Sequence, residues 1–370
     1  MYIHKKIAIT GGPCAGKTSA MQKIVNELTE QGYKVFVVSE TATELINGGI
    51  RPFGDGKITP FEFQRCIFNM QLEKEKMYER IANSLEQNTI ILCDRGIFDN
   101  KAYISDEEFE VYVKENNLNK MELYNSYDMV IHLVTAAKGA IENYTTENNK
   151  ARMETPEEAI DLDNRTLNAW LGHKNLEIID NEGTFDDKLN NTLKVIYELL
   201  GKPYPIQRQY KYIVEKFDIE KIKDVKTVKL EIEQIFIESD SNETIMIRKT
   251  TKDGHSVYSQ TTKTDTNIVN ERIISTKKIT EEEYCEYIKT NVKPIKKNRY
   301  CFTYNNQYFK LDIFDEPEDM AILETDLTNK SSVVKIPDFI KVIKNITEDI
   351  EYRNSNIFEQ INNKKIILTK

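Results

Sequence analysis

The chain has 370 residues, of which 39% are hydrophobic and 30% are charged, which suits two domains with apolar cores and charged surfaces. The net charge of −9 argues against nucleic acid as the main partner, and no apolar run reaches the roughly 20 residues that a membrane span needs. Five scattered cysteines without a CxxC pair favour reduced thiols over a disulfide or zinc framework, so we expect a cytoplasmic protein.

Short apolar runs alternate with helix-like segments in the first half of the chain. They are "KIAIT" (6–10), "YKVFVVSE" (33–40), "TIILCD" (89–94), "DMVIHLVTA" (128–136) and "NLEIIDN" (175–181). Short buried strands that alternate with helices are typical of a parallel sheet covered on both faces. The first half is therefore predicted to be an α/β domain.

The pattern changes near residue 201, after a helix predicted over about 186–200. The segment "LLGKPYPIQRQYKY" contains a glycine and two prolines, which indicates a helix end and a linker. Beyond it lie strands with a period of two: "VKLEIEQIFIE", "TIMIRK", "RYCFTY", "YFKLDIF" and "MAILETDL". This alternation predicts an antiparallel sheet or barrel whose polar side points inward. We place the two domains at 1–203 and 208–370.

A complete phosphate-binding loop, Gly11-x-x-x-x-Gly16-Lys17-Thr18, joins the first strand to a helix. Its glycines let backbone N–H groups surround phosphate oxygens at the helix N-terminus, while the lysine reaches the β and γ phosphates and the threonine hydroxyl ligates Mg²⁺. The predicted nucleotide-binding residues are Gly11, Gly12, Pro13, Cys14, Ala15, Gly16, Lys17 and Thr18.

The third apolar run ends in "DRGIFD", where acidic and basic side chains meet the predicted sheet edge. Asp94 is a natural second ligand of the metal, directly or through water, and Arg95 and Asp99 follow it. The alternative is a strand end with a solvated Asp–Arg pair. We predict Lys17, Asp94, Arg95 and Arg152 as catalytic residues, with Thr18 and Asp94 at the metal.

Two further charged residues leave alternatives open. Glu40 ends the second strand and either positions a nucleophile, contacts a substrate or caps a helix. Arg152 precedes a helix that starts near Pro156, and either closes over the phosphates or forms a surface pair with Glu154 or Glu157.

Three ring-bearing residues receive no catalytic role. His173, beside the only tryptophan, has the context of a hydrogen-bonded structural histidine. Tyr103 and Tyr144 either stack on a base or pack within the fold.

Residues 1 to about 203 resemble the AAA-type P-loop ATPase/kinase-like domain of the TRPL translocation defect family. The shared stretches are "TGGPCAGKT", the strand-end Glu40, "DRGIFDNKAY", "NYTTENNKARMETPEEAIDLD" and "AWLGHKNLEIIDN". The "DRG" element also resembles the corresponding stretch of nucleoside and nucleotide kinases. Residues 208 to about 362 resemble the CYTH domain, or triphosphate tunnel fold, through "VEKFDI", "LEIEQIFIE", "IMIRK", "KKNRYCFTY", "YFKLDIFD", "ILETDL" and "ITEDIEYRNSNI".

The second domain departs from the CYTH signature, which opens with two glutamates and a lysine that help to hold a metal. Aligned on "KF", the two glutamate places carry Tyr212 and Val214, and only Lys216 remains. A later strand with an arginine and two glutamates appears as Arg272, Ile274 and Thr276. The anion site implied by the resemblance comprises Lys216, Arg248, Lys297, Arg299, Asp312, Glu324 and Asp326. The alternative is a structural barrel whose interior charges pair with one another.

Three functions follow from these features. The first is an enzyme that binds Mg²⁺ with ATP or GTP and either hydrolyses the nucleotide or phosphorylates a small-molecule acceptor, while the second domain binds a phosphorylated or anionic ligand. The second is a nucleotide-dependent switch with slow hydrolysis. The third is a metal-dependent triphosphatase in the tunnel, against which the missing glutamates argue. "TKTD" (262–265), a guanine-reading signature in many GTPases, is treated as a coincidence because it lies far from the P-loop.

Overall fold

The computed structural model describes residues 2–141, 155–201, 206–222, 225–238, 243–265, 271–288, 292–326 and 333–362. The chain divides into two compact units, Met1–Leu193 and Lys194–Lys370. No helix in the described ranges is long and apolar enough to cross a membrane.

The first unit is built on a parallel sheet of five strands. These are β1 (His4–Thr10), β2 (Lys34–Val38), β3 (Thr89–Asp94), β4 (Met129–Leu133) and β5 (Leu176–Ile179). They lie in the order β2-β3-β1-β4-β5, and the five apolar runs predicted as strands are confirmed. Every residue of β4 and the first five of β3 are buried. Because successive strand residues point to opposite faces, both faces of this sheet are covered.

Helices follow the strands of this sheet. They are α1 (Lys17–Glu30), α2 (Thr41–Asn47), α3 (Pro60–Asn83), α4 (Asp106–Glu115), α5 (Lys120–Asn125), α6 (Pro156–Ala169) and α7 (Phe185–Leu199), with a 3₁₀ helix at Ile97–Ala102. The helix expected over about 186–200 is confirmed as α7. In a parallel sheet all strands end at the same edge, so the segments after β1, β2, β3 and β4 converge there.

The second unit is antiparallel throughout. Its strands are β6 (Ile206–Val214), β7 (Val228–Glu238), β8 (Glu243–Lys252), β9 (His255–Asp265), β10 (Glu271–Ile279), β11 (Ile295–Tyr304), β12 (Gln307–Phe314), β13 (Ala321–Asp326) and β14 (Val342–Asn345). Two helices, α8 (Glu281–Ile288) and α9 (Asn354–Asn362), and two 3₁₀ turns, Ile219–Lys221 and Ile350–Tyr352, accompany them.

Pairing of β6 with both β13 and β10 closes eight of these strands into a ring, and β14 adds to β6 outside it. The order around the ring is β6-β13-β12-β11-β7-β8-β9-β10. Of these strands, β6, β9, β10 and β14 were not among the period-two segments identified in the sequence. Closure leaves no free edge in the eight-stranded ring.

The two faces of the barrel wall differ in character. Phe309, Leu311 and Leu323 pack with Phe302 in an apolar cluster on one face. The alternate residues carry charges that meet across strands, as when Asp312 accepts from Arg299. Charges from β6, β8, β9, β11, β12 and β13 interact on this face, which therefore lines the interior, in agreement with the predicted polar inner side.

Candidate functional site

The glycine-rich loop connects the end of β1 to the start of α1. Gly16 precedes α1 in a left-handed conformation with φ of 86°, and a Cβ atom there would lie 2.7 Å from the Phe185 ring. At Gly12 a Cβ atom would meet the Asp163 carboxylate oxygen at 2.9 Å. Both positions therefore require glycine, and the bare loop lets backbone N–H groups approach phosphate oxygens.

Lys17 is folded back over this loop. Its Nζ donates to the carbonyl oxygens of Gly11 and Gly12 at 2.9 and 3.0 Å. Burial, together with the charge of Arg95, lowers the pKa of Lys17 to about 8. Glu40, Asp94 and Asp99 oppose this shift without cancelling it. A bound polyanion would add the opposite charge that favours the charged ammonium, so the loop is chemically suited to a phosphate chain.

Asp94 ends β3 and pairs in register with Ile9, the residue before the last of β1. Its buried Oδ1 has no hydrogen-bond partner among the described residues. Burial, with the neighbouring charge of Glu40, raises the pKa of Asp94. An unpartnered carboxylate oxygen that lines the same cleft as Thr18 fits a magnesium ion or one of its waters, since Mg²⁺ takes oxygen ligands and few of them from protein.

Arg95 and Glu40 form an ion pair between the ends of β3 and β2. Arg95 Nε lies 2.6 Å from Glu40 Oε1, and Arg95 has a left-handed φ of 68°. Burial acts to raise the pKa of Glu40, but Arg95, Lys17 and a hydrogen bond from Thr43 outweigh it and lower the pKa to about 2. Glu40 also occupies the position before the first residue of α2, but its side chain makes no capping hydrogen bond to the helix backbone.

Asp163 on α6 is the site residue that the sequence analysis missed. Its Oδ1 accepts from the backbone nitrogens of Gly12 and Thr135 at 2.9 and 3.1 Å, and its Oδ2 accepts from Lys138 at 2.8 Å. His132 Nε2 lies 3.2 Å from the same carboxylate. The residue lay within the "AIDLD" stretch, but no local spacing connected it to a loop 151 residues away.

Asp99 and His173 have structural roles in this unit. Asp99 accepts from Thr10 Oγ1, from the Gly96 backbone nitrogen and from Trp170 Nε1, at 2.6, 3.0 and 2.8 Å. Both carboxylate oxygens of Asp99 therefore accept hydrogen bonds that hold the turn after β3. His173 is buried, with its Nε2 3.1 Å from the Tyr127 carbonyl oxygen.

These elements surround one cleft of about 1490 Å³. Loop residues Pro13, Cys14 and Ala15 line it beside Lys17 and Thr18. It continues past Glu40, Arg95 and Tyr103 to α3, where its wall is formed by Phe63, Gln64 and Ile67. The predicted Arg152, and Tyr144 with it, lie outside the described residues, so Arg152 stays a prediction.

Inside the barrel, four of the predicted anion-site residues form one cluster. Arg299 donates to both oxygens of Asp312 at 2.6 Å and to Glu324 at 2.9 Å. Lys297 Nζ lies 2.6 Å from Asp312, and Lys211 Nζ lies 2.8 Å from Glu324. Each carboxylate is thus held between two cations.

The prediction for Lys216 is wrong, because β6 ends at Val214 and Lys216 lies exposed beyond it. Lys211 takes the expected position instead, opposite Glu324 in the β6–β13 pairing. The residues on this face of β6 are odd-numbered, as with Gln209, whose Nε2 lies 3.3 Å from Glu324. Tyr212 and Val214, assigned to the glutamate places, belong to the opposite face.

Two other cations, Arg248 and Lys263, lie on the inner face near Glu324. Arg248 lies against the amide of Gln234, and Lys263, from the "TKTD" stretch, is in β9. Neither forms an ion pair with any residue in the described ranges. Burial, with the charge of Arg299, lowers the pKa of Arg248 to about 10. Burial and three neighbouring cations lower the pKa of Lys263 to about 7.

The barrel interior does not fit the metal that the CYTH resemblance implies. Both oxygens of Asp312 and both of Glu324 already face cationic side chains. Asp326, the third predicted acid, pairs with Lys310 at 2.7 Å. No group of three or more potential ligands from His, Cys, Asp and Glu occurs in the described part of the chain.

Comparisons with known proteins support, at a coarse level, the interpretation of the first unit as a P-loop-like domain. Residues 6–188 match a protein family described as an AAA domain. No curated protein matches the chain. The region is thus similar to AAA domains, which fits the nucleotide-binding loop described above.

Solved structures that resemble part of this chain include two crystal structures of one protein, NE1496. The crystal structure of the inorganic triphosphatase NE1496 is 17% identical, with a TM-score of 0.29, and covers 41% of this chain and 93% of its own. A second, of hypothetical protein NE1496, is 19% identical, with a TM-score of 0.30, and covers 42% and 99%. PH1819 from Pyrococcus horikoshii OT3 is 15% identical, with a TM-score of 0.27, and covers 33% and 80%.

Proposed function

We propose that the first unit is a phosphotransferase that binds ATP or GTP with Mg²⁺ and transfers the γ-phosphoryl group to a small-molecule acceptor. One observation carries the choice of transfer over hydrolysis. Pockets for single small ligands measure roughly 300–1,000 Å³. The cleft of about 1490 Å³ has room for a second ligand beyond the phosphate loop.

The roles of the loop-side residues follow from their charges. Lys17 exchanges its bonds to the Gly11 and Gly12 carbonyls for phosphate oxygens and neutralises the transferring group. Thr18 and Asp94 would hold the magnesium ion, which when bound offsets charge on the β and γ phosphates. Arg95, on the cleft wall, stabilises charge that develops during transfer.

Glu40 is the residue proposed to orient the acceptor. With its pKa at about 2 it is ionised at neutral pH, and it lines the cleft beside Arg95. In the transfer step the acceptor oxygen bonds to the γ-phosphorus while the bond from phosphorus to the β–γ bridging oxygen breaks. The acceptor hydroxyl proton passes to the carboxylate.

The test measures nucleotide consumption by wild type, Lys17→Ala and Lys23→Ala, with ATP or GTP, Mg²⁺ and pooled nucleosides or other small hydroxyl compounds. Lys23 is the matched control because it lies on α1, where it is hydrogen-bonded to Asn190 on the exposed surface. We expect acceptor-stimulated turnover that Lys17→Ala lowers by roughly 100-fold and Lys23→Ala leaves unchanged.

Other outcomes of this test point to the two alternatives. Turnover that no acceptor stimulates would make the unit a hydrolase. Tight nucleotide binding with negligible turnover would leave a regulatory switch, in which nucleotide changes the binding of another ligand.

A second function is proposed for the barrel, which binds a phosphorylated or other anionic ligand without metal. It is supported by Arg248 and Lys263, two inner cations that form no ion pair within the described ranges, and by the lowered pKa that burial and neighbouring cations give Lys263. An anion would relieve this repulsion and provide several charge-assisted hydrogen bonds. The same proposal includes the membership that the sequence resemblances imply, in the TRPL translocation defect family and, for the second unit, among CYTH domains.

Calorimetric titration with inorganic tripolyphosphate in EDTA tests the barrel, using Lys17→Ala as the background so that the P-loop does not contribute. In this background, the further substitution Arg248→Ala should weaken tripolyphosphate binding roughly tenfold. Lys249→Ala, on the opposite face of β8, should leave it unchanged. Strong metal-dependent hydrolysis of tripolyphosphate that Glu324→Gln abolishes would instead establish a triphosphatase.

A further inference from the structure

An exposed aromatic ring lies beside the phosphate-binding loop. Phe185 begins α7, lines the cleft and is 50% exposed. Its Cε2 atom lies 2.7 Å from the point where a Cβ atom of Gly16 would stand, so the ring packs on the bare backbone at the start of α1. It stacks on no other aromatic ring in the described part of the chain, which leaves ring surface open toward the cleft.

The backbone before Phe185 is held in place by two sets of hydrogen bonds. Thr184 Oγ1 accepts from the Asp187 backbone nitrogen at 3.1 Å, while the Asp187 carboxylate accepts from the Thr184 backbone nitrogen at 2.9 Å. The Asn181 amide donates to the carbonyl oxygens of Thr135 and Lys138 at 2.8 and 2.6 Å. The ring is therefore presented by a fixed turn tied to the segment that follows β4.

That segment, 135–140, contributes only small side chains to the same cleft. Its lining residues are Ala136, Gly139 and Ala140. A Cβ atom added at Gly139 would meet nothing within 4 Å, so the space in front of it is open. The exposed Phe185 ring lies on one turn, and the segment hydrogen-bonded to that turn presents small side chains to the cleft. A flat group therefore has room between the two.

We propose that Phe185 is the platform on which the nucleobase of the bound nucleoside triphosphate stacks. This inference rests on the proposed nucleotide site. The ring borders the loop that would hold the phosphates, so one ligand reaches both. A planar aromatic base matches an exposed phenyl ring, and stacking of this kind tolerates any base.

The test compares wild type, Phe185→Ala, Phe185→Tyr and Phe53→Ala by equilibrium dialysis with labelled ATP and GTP in Mg²⁺. Unlabelled inorganic tripolyphosphate serves as competitor, which reports the affinity of the P-loop for a triphosphate without a base. Phe53 is the control, since it is an aromatic residue of the same cleft with a similar exposure of 44%.

Phe185→Ala should weaken ATP and GTP binding by roughly 10- to 100-fold and change tripolyphosphate affinity less than twofold. Phe185→Tyr and Phe53→Ala should keep the affinity of the wild type. Unchanged nucleotide affinity in Phe185→Ala would overturn the inference, as would equal losses for nucleotide and tripolyphosphate, which would indicate damage to the loop. Failure of wild type to bind either nucleotide would instead overturn the proposed function on which it rests.

Discussion

Asp163 and Gly12 are joined by a hydrogen bond of 2.9 Å from the loop backbone nitrogen to the carboxylate, across 151 residues of sequence. The same Asp163 oxygen accepts from Thr135, so one buried side chain ties the P-loop to the segment that follows β4. Burial acts to raise the pKa of Asp163, but its interactions with His132 and Lys138 lower it overall and so favour the ionised carboxylate. The loop is thereby shaped before any ligand arrives.

Asp163→Ala should lower the affinity for Mg-ATP by roughly tenfold, because charge-assisted hydrogen bonds of this kind contribute about 1.5–3 kcal/mol each. The matched control is Asp161→Ala, on the same helix but exposed, where it forms an ion pair with Arg165. Dissociation constants measured by calorimetry should show the loss in the first variant alone. Equal affinities in the two variants would contradict the role given to Asp163.

The P-loop and the strands of the first unit were predictable because their signals are local. Apolar runs mark buried strands, and the spacing of glycine, lysine and threonine defines the loop within eight residues. Asp163 carried no such signal, since its partner Gly12 is distant in sequence. Its role depends on α6 reaching the loop, which only tertiary structure reveals.

In the barrel, an error of register changed which lysine was expected inside. Anchoring the alignment on "KF" selected Lys216, whereas the strand ends at Val214 and Lys211 pairs with Glu324. Because side chains alternate along a strand, an odd shift of five residues exchanges the inner and outer faces. The strands of Asp312 and Glu324 alternate clearly between apolar and charged residues, and both carboxylates lie on the expected inner side.

Asp312→Ala should destabilise the second unit by about 3–5 kcal/mol, because it leaves Arg299 and Lys297 as buried cations short of a counter-charge. Asp326→Ala, which removes a more exposed pair with Lys310, serves as the control and should cost far less. Urea unfolding followed by circular dichroism measures both. Equal free energies of unfolding for the two variants would contradict the larger stabilising role given to the inner cluster.

Glu40→Gln should lower acceptor-dependent kcat by roughly 100-fold while changing the KM for nucleotide less than threefold. The reason is that the amide cannot take the acceptor proton and no longer pairs as an anion with Arg95. Steady-state kinetics check both values, with Glu62→Gln, an exposed acid in the first turn of α3, as the control. An unchanged kcat would remove Glu40 from the transfer step.

Stability of the first unit should fall below neutral pH because of His173. Burial, with the charge of Lys174, lowers its pKa from 6.5 to about 4, so the folded state holds the neutral ring. The unfolded chain binds a proton below pH 6.5 and the folded chain does not. The stability present above pH 6.5 is therefore lost between pH 6.5 and about 4, to a total of about 3 kcal/mol.

Unfolding free energies of wild type and His173→Gln, measured between pH 7 and 4.5, check this expectation. At pH 7 the variant should be less stable than wild type because it loses the contacts of the buried imidazole. Its free energy of unfolding should decline less steeply as the pH falls. Parallel pH profiles would contradict the assignment of this loss to His173.

Following the γ-phosphoryl group of nucleotide labelled at that position tests the central claim most directly. Wild type is incubated with labelled ATP or GTP, Mg²⁺ and candidate acceptors, and the products are separated. The proposed phosphotransferase should move the label onto an organic acceptor, and Lys17→Ala should not. Label found only as inorganic phosphate, or retained in the nucleotide under every condition, would contradict phosphoryl transfer to an acceptor.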